Sequence, residues 1–332
     1  MDHLLLIQYR GEDGKTRAAR VIADGSAVES IGGGTLYELA REAAESGRPL
    51  AEIVGARASG NRLDYAALAE QGRLLSPIAH PDPAHCLVTG TGLTHLASAA
   101  GRDKMHTAAM EGKETDSMRM YAIGVEGGRP VPGRIGAPPE WFFKGDGGAL
   151  VPPGGDLPLP AYAEDGGEES EIAGLYLIRS DGTPMRIGYA LGNEYSDHRL
   201  ESRNYLYLAH SKLRACSVGP EILVGVLPAE ISGRASILRG GQTLWSEDFK
   251  TGEANMCHTL ANLEHHHFKY RAFRRPGDVH VHFFGAASVS YAHGVTAKDG
   301  DMFEIAAPPF VQPLRNRLRA TPDEGLVAAT PL

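Results

Sequence analysis

Residues Gly167 to Ser196, GEESEIAGLYLIRSDGTPMRIGYALGNEYS, constrain this chain more than any other stretch. Two runs rich in Ile, Leu and Tyr flank Ser180-Asp181-Gly182-Thr183, and Asp-Gly between such runs signals a hairpin. Glu169 and Glu171 are two apart, so an extended strand puts both on one face. A two-residue turn at Asp181-Gly182 sets Ser180 opposite Thr183. Carried down the ladder, Glu171 then faces Gly192 and Glu169 faces Glu194. Three carboxylates gathered this way repel unless positive charge lies among them. A hard divalent cation with oxygen ligands answers that need, and Mg²⁺ retains positions for water or substrate. A solvent-facing acidic strand end is the plainer alternative. A one-residue slip of the strand would substitute Glu168 for Glu169.

The chain before this hairpin divides in two. Leu4–Tyr9 and Arg17–Ala23 read as strands joined by the turn at residues 11–14. Thr35 can cap a helix with Leu36, Leu39, Ala40 and Ala43 on one face, and Tyr65–Gln71 is a second short amphipathic segment. Prolines 77, 81 and 83 mark a linker over Ser76–His85. This predicts a small N-terminal α+β domain over residues 1–76, a catalytic domain over 77–320 and a tail over 321–332. The larger part is strand-rich. Gly and Pro argue against helices in Gly127–Pro160, Glu253–Phe268 reads as one helix, and Val279–Phe284 and Ser288–Tyr291 read as strands. The fold class is mixed α/β, strand-rich, with two-layer or barrel-like β architecture.

The 332 residues carry 41 acidic and 33 basic side chains, a formal charge of −8. That balance lacks the footprint phosphate-backbone binding needs, so no nucleic-acid partner is expected. Only four consecutive apolar residues precede Gln8, and no apolar run approaches a membrane span of ~20 residues. Cys86, Cys216 and Cys257 are too few and too scattered for a disulfide framework. A soluble, cytoplasmic protein is the expectation.

Glu169-Ser-Glu171-Ile, followed by Gly188-Tyr-Ala-Leu-Gly-Asn-Glu194-Tyr-Ser196, resembles the metal-binding core of the fumarylacetoacetate hydrolase superfamily. There Glu-x-Glu and a later Asp hold the metal, and this chain has Glu194 at the third position. Ala209-His-Ser-Lys212 with Ser217-Val-Gly-Pro220 is similar to a family segment whose lysine contacts substrate. Trp141-Phe-Phe-Lys144 is similar to the stretch before Glu-x-Glu. Gly277-Asp278-Val279 to Gly285, then Gly300-Asp301, is similar to the closing strands, with Gly285-Ala-Ala-Ser288 in place of Thr-Gly-Thr-Pro. The resemblance spans roughly residues 80–315. It implies a β-sandwich or β-roll core around Mg²⁺ (Mn²⁺ or Ca²⁺ as substitutes), a small 2-oxo acid substrate and a homodimer. As site residues it implies Glu169, Glu171 and Glu194 for metal, His95 and Lys212 for catalysis, and Lys144 and Ser288 for substrate; Ser98 and Arg102 join the substrate set as polar side chains able to read a polyhydroxy tail.

Family hydrolases pair a histidine with a glutamate to activate water. Here the matching stretch has His95, but Ser98 replaces the glutamate, and a hydroxyl cannot stabilise an imidazolium as a carboxylate does. Glu111 is a possible substitute. The family's 2-oxo-3-deoxy sugar acid dehydratases make another demand: metal at C1 and C2 acidifies C3, and the C4 hydroxyl leaves. Ser98 and the polar run Arg102-Asp103-Lys104-Met105-His106 favour that branch. Hydrolysis of an acylpyruvate-like acid and a non-catalytic 2-oxo-acid-binding protein stay open. His265, His266 and His267 point in different directions on a helix and cannot share a zinc ion. His280 and His282 share a strand face with no evident third ligand. Gly32–Gly34 and Gly90-Thr-Gly92 complete no phosphate loop, and there is no Gly-x-Ser-x-Gly elbow.

Overall fold

A computed structural model of the chain describes residues 3–95 and 115–332. Ser98, Arg102, the rest of the run to His106, and Glu111 lie outside the described residues.

The chain opens with β1 (Leu4–Arg10), β2 (Thr16–Val21) and β3 (Ala27–Ile31). Helix α1 (Leu36–Ser46) starts where expected: Thr35 accepts from the Glu38 N–H and the Glu38 side chain reaches back to the Thr35 N–H. Its apolar face buries Leu36, Leu39 and Ala40. Next come α2 (Leu50–Ala56), β4 (Ala58–Asp64), α3 (Tyr65–Glu70) and β5 (Leu74–Leu75). The middle of the chain supplies β6 (Cys86–Gly92), α4 (Asp116–Gly127), β7 (Glu140–Asp146), β8 (Leu150–Val151), β9 (Asp156–Leu159), β10 (Ser170–Ile178) and β11 (Pro184–Asn193). The remainder is α5 (His198–Arg203), α6 (Leu208–Lys212), β12 (Cys216–Val218), β13 (Glu221–Val224), β14 (Ile231–Arg239), β15 (Gln242–Thr251), α7 (Leu260–Phe268), β16 (Val279–Phe283), β17 (Met302–Ala306) and β18 (Leu314–Ala320).

The described strands form two mixed sheets. The larger runs β4-β3-β2-β1-β13-β11-β10-β16-β6-β7, and the smaller runs β15-β14-β17-β18-β9. β16 lies parallel to β6, and β9 parallel to β18. β10 is buried at all nine positions because both its faces are covered. Ala173, Leu175 and Leu177 pack in one cluster with Leu39 and Ile53 of α1 and α2. Ile172 on the other side joins Leu191, Ala235, Phe249 and Ile305, the last three from the smaller sheet. No described helix is long and apolar enough to cross a membrane.

The hairpin turn differs from expectation, yet the register at its far end does not. Arg179 N–H donates to Thr183 O and Gly182 N–H to Arg179 O, with Gly182 at φ +83°. This is a three-residue loop closed by a left-handed glycine, not a two-residue turn. An irregularity between Leu175 and Tyr176 absorbs the extra residue, so Glu171 still faces Gly192. Two other expectations are corrected. Glu253–Phe268 is not one helix: a 3₁₀ turn at Glu253–Asn255 precedes α7, whose start is fixed by Thr259 and by Glu253 accepting from the Leu260 N–H. Ser288–Tyr291 is not a strand: Ser290 N–H and Oγ both donate to Glu168, and a 3₁₀ turn covers Ser290–His293.

Glu221 ties β13 to the leading segment. Its carboxylate accepts from Tyr65 Oη at 2.7 Å and from the Val311 and Gln312 N–H groups at 3.0 Å. Burial nevertheless pushes its pKa up from 4.5 to about 7. The folded state therefore binds this proton more tightly than the unfolded one, so stability falls as pH rises from 4.5 to 7. The expected loss is roughly 3 kcal/mol. Glu221→Gln should flatten that limb of a urea-midpoint-against-pH curve; an unchanged limb assigns it elsewhere.

Candidate metal centre

The cluster forms where β10 and β11 end together. Glu194 N–H donates to Glu169 O at 3.0 Å, and Asn193 Oδ1 accepts from the Glu169 and Tyr195 N–H groups. Tyr195 sits at φ +38°, an uncommon conformation for a non-glycine residue, and its carbonyl is held by Lys144 Nζ at 2.9 Å. One carboxylate oxygen each of Glu169, Glu171 and Glu194 lies within 4.8 Å of the others, and all three side chains are buried. The solvent-facing alternative therefore fails. Glu168 turns away to Ser290.

Two lysines supply the positive charge. Lys212 Nζ bridges Glu169 and Glu194, and Lys144 Nζ binds Glu194 and the Lys212 carbonyl. Both are buried, so neither is a surface lysine with a solvated tip. The Phe142 ring lies 4.7 Å from Lys212 Nζ. Glu171 is treated differently: Oε2 accepts from the Gly285 N–H at 2.7 Å, while Oε1 is buried without a partner. Burial, then the charges of Glu169 and Glu194, push its pKa well above the ordinary carboxylate value. Burial and Glu169 likewise raise Glu194, against the pull of the lysines. A buried carboxylate with an orphaned oxygen, converging with two more carboxylates, fits a hard cation: a buried acceptor of this kind is costly unless something positive meets it.

Gly285 is required in this arrangement. Its φ is +100°, and a Cβ there would lie 2.2 Å from Thr94 Oγ1. Gly285→Ala should destabilise the protein by about 2–3 kcal/mol, read as a fall in urea midpoint. An unchanged midpoint would contradict the close approach.

His95 is buried, with Nδ1 2.9 Å from Thr94 Oγ1 and Nε2 3.2 Å from Thr251 Oγ1. Burial lowers its pKa to about 4, so it is neutral at pH 7. Among the described residues its partners are hydroxyls, not carboxylates. Ser288 Oγ donates to Glu247 rather than to any of the three clustered glutamates. Three neighbours escaped the sequence reading. His198 Nε2 binds Glu169 at 3.1 Å; burial pulls its pKa down, but Glu169 and Asp165 outweigh that and hold it above the ordinary value. Glu140 is buried on the same β7 face as Phe142 and Lys144, and accepts from Tyr205 Oη at 2.7 Å. The spacing of two in Glu140-x-Phe142-x-Lys144 was the available signal. Glu247, on the smaller sheet, accepts from Ser288 Oγ. Elsewhere, His267 from α7 meets His280 at 3.0 Å and stacks on His282, but the three glutamates are the grouping among the described residues that could hold a metal ion.

No family model matches the chain. A protein of Haloferax volcanii named "Probable 2-keto-3-deoxyxylonate dehydratase" is 31% identical over 120 residues, 35% of this chain and 40% of that protein. The chain thus matches less than half the length of this curated relative. Among solved structures, 2-keto-3-deoxy-D-arabinonate dehydratase complexed with magnesium and 2,5-dioxopentanoate superposes with TM-score 0.68 at 21% identity, covering 96% of this chain and 99% of that one. The fold is of the fumarylacetoacetate hydrolase type. A 5-carboxymethyl-2-hydroxymuconate delta-isomerase from Mycobacterium smegmatis shares this fumarylacetoacetate hydrolase-like fold, at TM-score 0.58 and 18% identity over 96% of this chain and 100% of its own.

Proposed function

We propose that this chain is a Mg²⁺-dependent dehydratase of a 2-oxo-3-deoxy sugar acid. The observation that carries the reading is the buried convergence of Glu169, Glu171 and Glu194, with Glu171 Oε1 left without a partner. Similarity to the two keto-deoxy sugar acid dehydratases supports the choice of substrate class.

Glu169, Glu171 and Glu194 would hold the ion. When bound, Mg²⁺ supplies Lewis-acid polarisation to the carboxylate and keto oxygens of a 2-oxo acid. Lys212 Nζ bridges two of these glutamates; having passed one proton to them, it would be the amine that takes the proton from C3. Lys144, bound by Glu194 and by two carbonyls, positions Glu194. His95, neutral between two threonine hydroxyls, is assigned a hydrogen bond to the C4 hydroxyl in exchange for one of theirs, and that hydroxyl would leave as water with the proton taken from C3. Among the described residues His95 has hydroxyl partners and no carboxylate, an arrangement poorly suited to activating water, which favours dehydration over hydrolysis. Incubating the Mg²⁺-loaded protein with an acylpyruvate and, separately, with 2-oxo-3-deoxy pentonates tests the choice. Loss of C4 oxygen from a pentonate supports it; cleavage of the acylpyruvate into two acids moves the assignment to hydrolase.

A further inference from the structure

β15 turns Trp245, Glu247, Phe249 and Thr251 inward, while Leu244, Ser246, Asp248 and Lys250 are exposed. Thr251 meets His95 Nε2 at 3.2 Å. Glu247 stands four residues earlier, ~13 Å along the strand. It faces Ala235 across the ladder, and Phe249 beside it belongs to the apolar core. A carboxylate on such a face needs a reason, because burying part of it among apolar groups is costly.

Its partners come from the segment that also touches the metal centre. Ser288 Oγ donates to Glu247 Oε2, and His293 Nε2 lies 3.1 Å from the same oxygen. Within the same segment Gly285 N–H binds Glu171, Ser290 binds Glu168, and the Tyr291 ring packs 5.5 Å from that of His198. Ser288 is three residues from Gly285, so its Cα lies at most about 11 Å from that of Gly285. Among the described residues, the contacts of Glu247 fall on Oε2, and the side chain is 35% exposed. Oε1 is thus, among the described residues, the oxygen of this carboxylate left to accept from a ligand.

We propose that Glu247 Oε1 accepts a hydrogen bond from a substrate hydroxyl beyond C4, with Ser288 and His293 fixing the carboxylate. The inference rests on the sugar-acid reading and deepens it into a rule for the distal end of the substrate. An ionised carboxylate only accepts, so it selects a hydroxyl donor, gains nothing from a methyl end and repels a second carboxylate. The chain should therefore discriminate against dioates.

The test uses three six-carbon acids with no C4 hydroxyl to lose: 2-oxohexanoate, 6-hydroxy-2-oxohexanoate and 2-oxoadipate. Binding to the Mg²⁺-loaded protein is measured by titration calorimetry for wild type, Glu247→Ala and Glu247→Gln. The wild type should favour the hydroxy acid over 2-oxohexanoate about tenfold, and bind 2-oxoadipate most weakly. Glu247→Ala should lose the hydroxyl preference while its affinity for 2-oxohexanoate, the folding control, changes less than about twofold. Glu247→Gln should bind 2-oxoadipate more tightly than wild type does. A wild type that binds the dioate as well as the hydroxy acid, a preference that survives Glu247→Ala, or no saturable binding of any of the three overturns the proposal. Dehydration of a 2-oxo-3-deoxy acid is scored separately, so failure of the reaction assignment is distinguishable from failure of this one.

Discussion

Glu171→Gln is expected to abolish Mg²⁺ binding while leaving the metal-free protein at least as stable as wild type. Glu171 Oε1 is a buried oxygen of the cluster with no hydrogen-bond partner among the described residues, so it is available to a cation. Removing its charge should weaken Mg²⁺ by at least about a hundredfold, the upper end of what changes around a metal's ligands cost. In the metal-free protein the same charge is unfavourable, since burial and two neighbouring carboxylates already push its pKa upward. Glutamine keeps an amide oxygen to accept from the Gly285 N–H. Thermal melts with and without Mg²⁺ check both halves: wild type should gain melting temperature with the ion, and the variant should not. A variant with an undiminished Mg²⁺ shift would move the metal elsewhere.

Lys212→Met should have the opposite signature. Its ammonium is buried and bridges Glu169 and Glu194, so removing it takes a buried cation from both carboxylates and leaves Glu194 with Lys144 and Glu169 with His198. Breaking a buried pair from one side costs about 3–5 kcal/mol, and the metal-free variant should be destabilised by that order. Taking away a cation should also strengthen Mg²⁺ binding, because the glutamates lose a competitor. Turnover should nevertheless disappear, since the group assigned to the C3 proton is gone. A destabilised, tightly Mg²⁺-binding, inactive variant is the expected combination, read by melting, calorimetry and assay. Retained turnover would remove Lys212 from the chemistry.

These two residues also mark how far the sequence could be read. The facing of Glu171 and Gly192 was legible because strand alternation and a turn fix register locally. It was reached through the wrong turn: the three-residue loop and the irregularity at Leu175 offset each other. The capping box at Thr35 and Glu38 was legible for the same local reason. Lys212 and Lys144 could be reached only by family resemblance, since nothing near either lysine in the chain reveals that it will be buried against Glu194. Glu247 was missed because its role depends on the smaller sheet meeting the segment after β16. The 3₁₀ turn at Ser290 was missed likewise: Ser288–Tyr291 has strand composition, and only the distant Glu168 claims the Ser290 N–H that a ladder would need.

The measurement that bears most directly on the proposed reaction is proton NMR of 2-oxo-3-deoxy pentonate stereoisomers in D₂O with this protein, first with Mg²⁺ and then with EDTA. Loss of the C4 hydroxyl from at least one stereoisomer, deuterium entering at C3, and arrest by EDTA are the expected result. No change in any stereoisomer with Mg²⁺ present, or the same turnover in EDTA, would contradict a Mg²⁺-dependent dehydratase built on Glu169, Glu171 and Glu194.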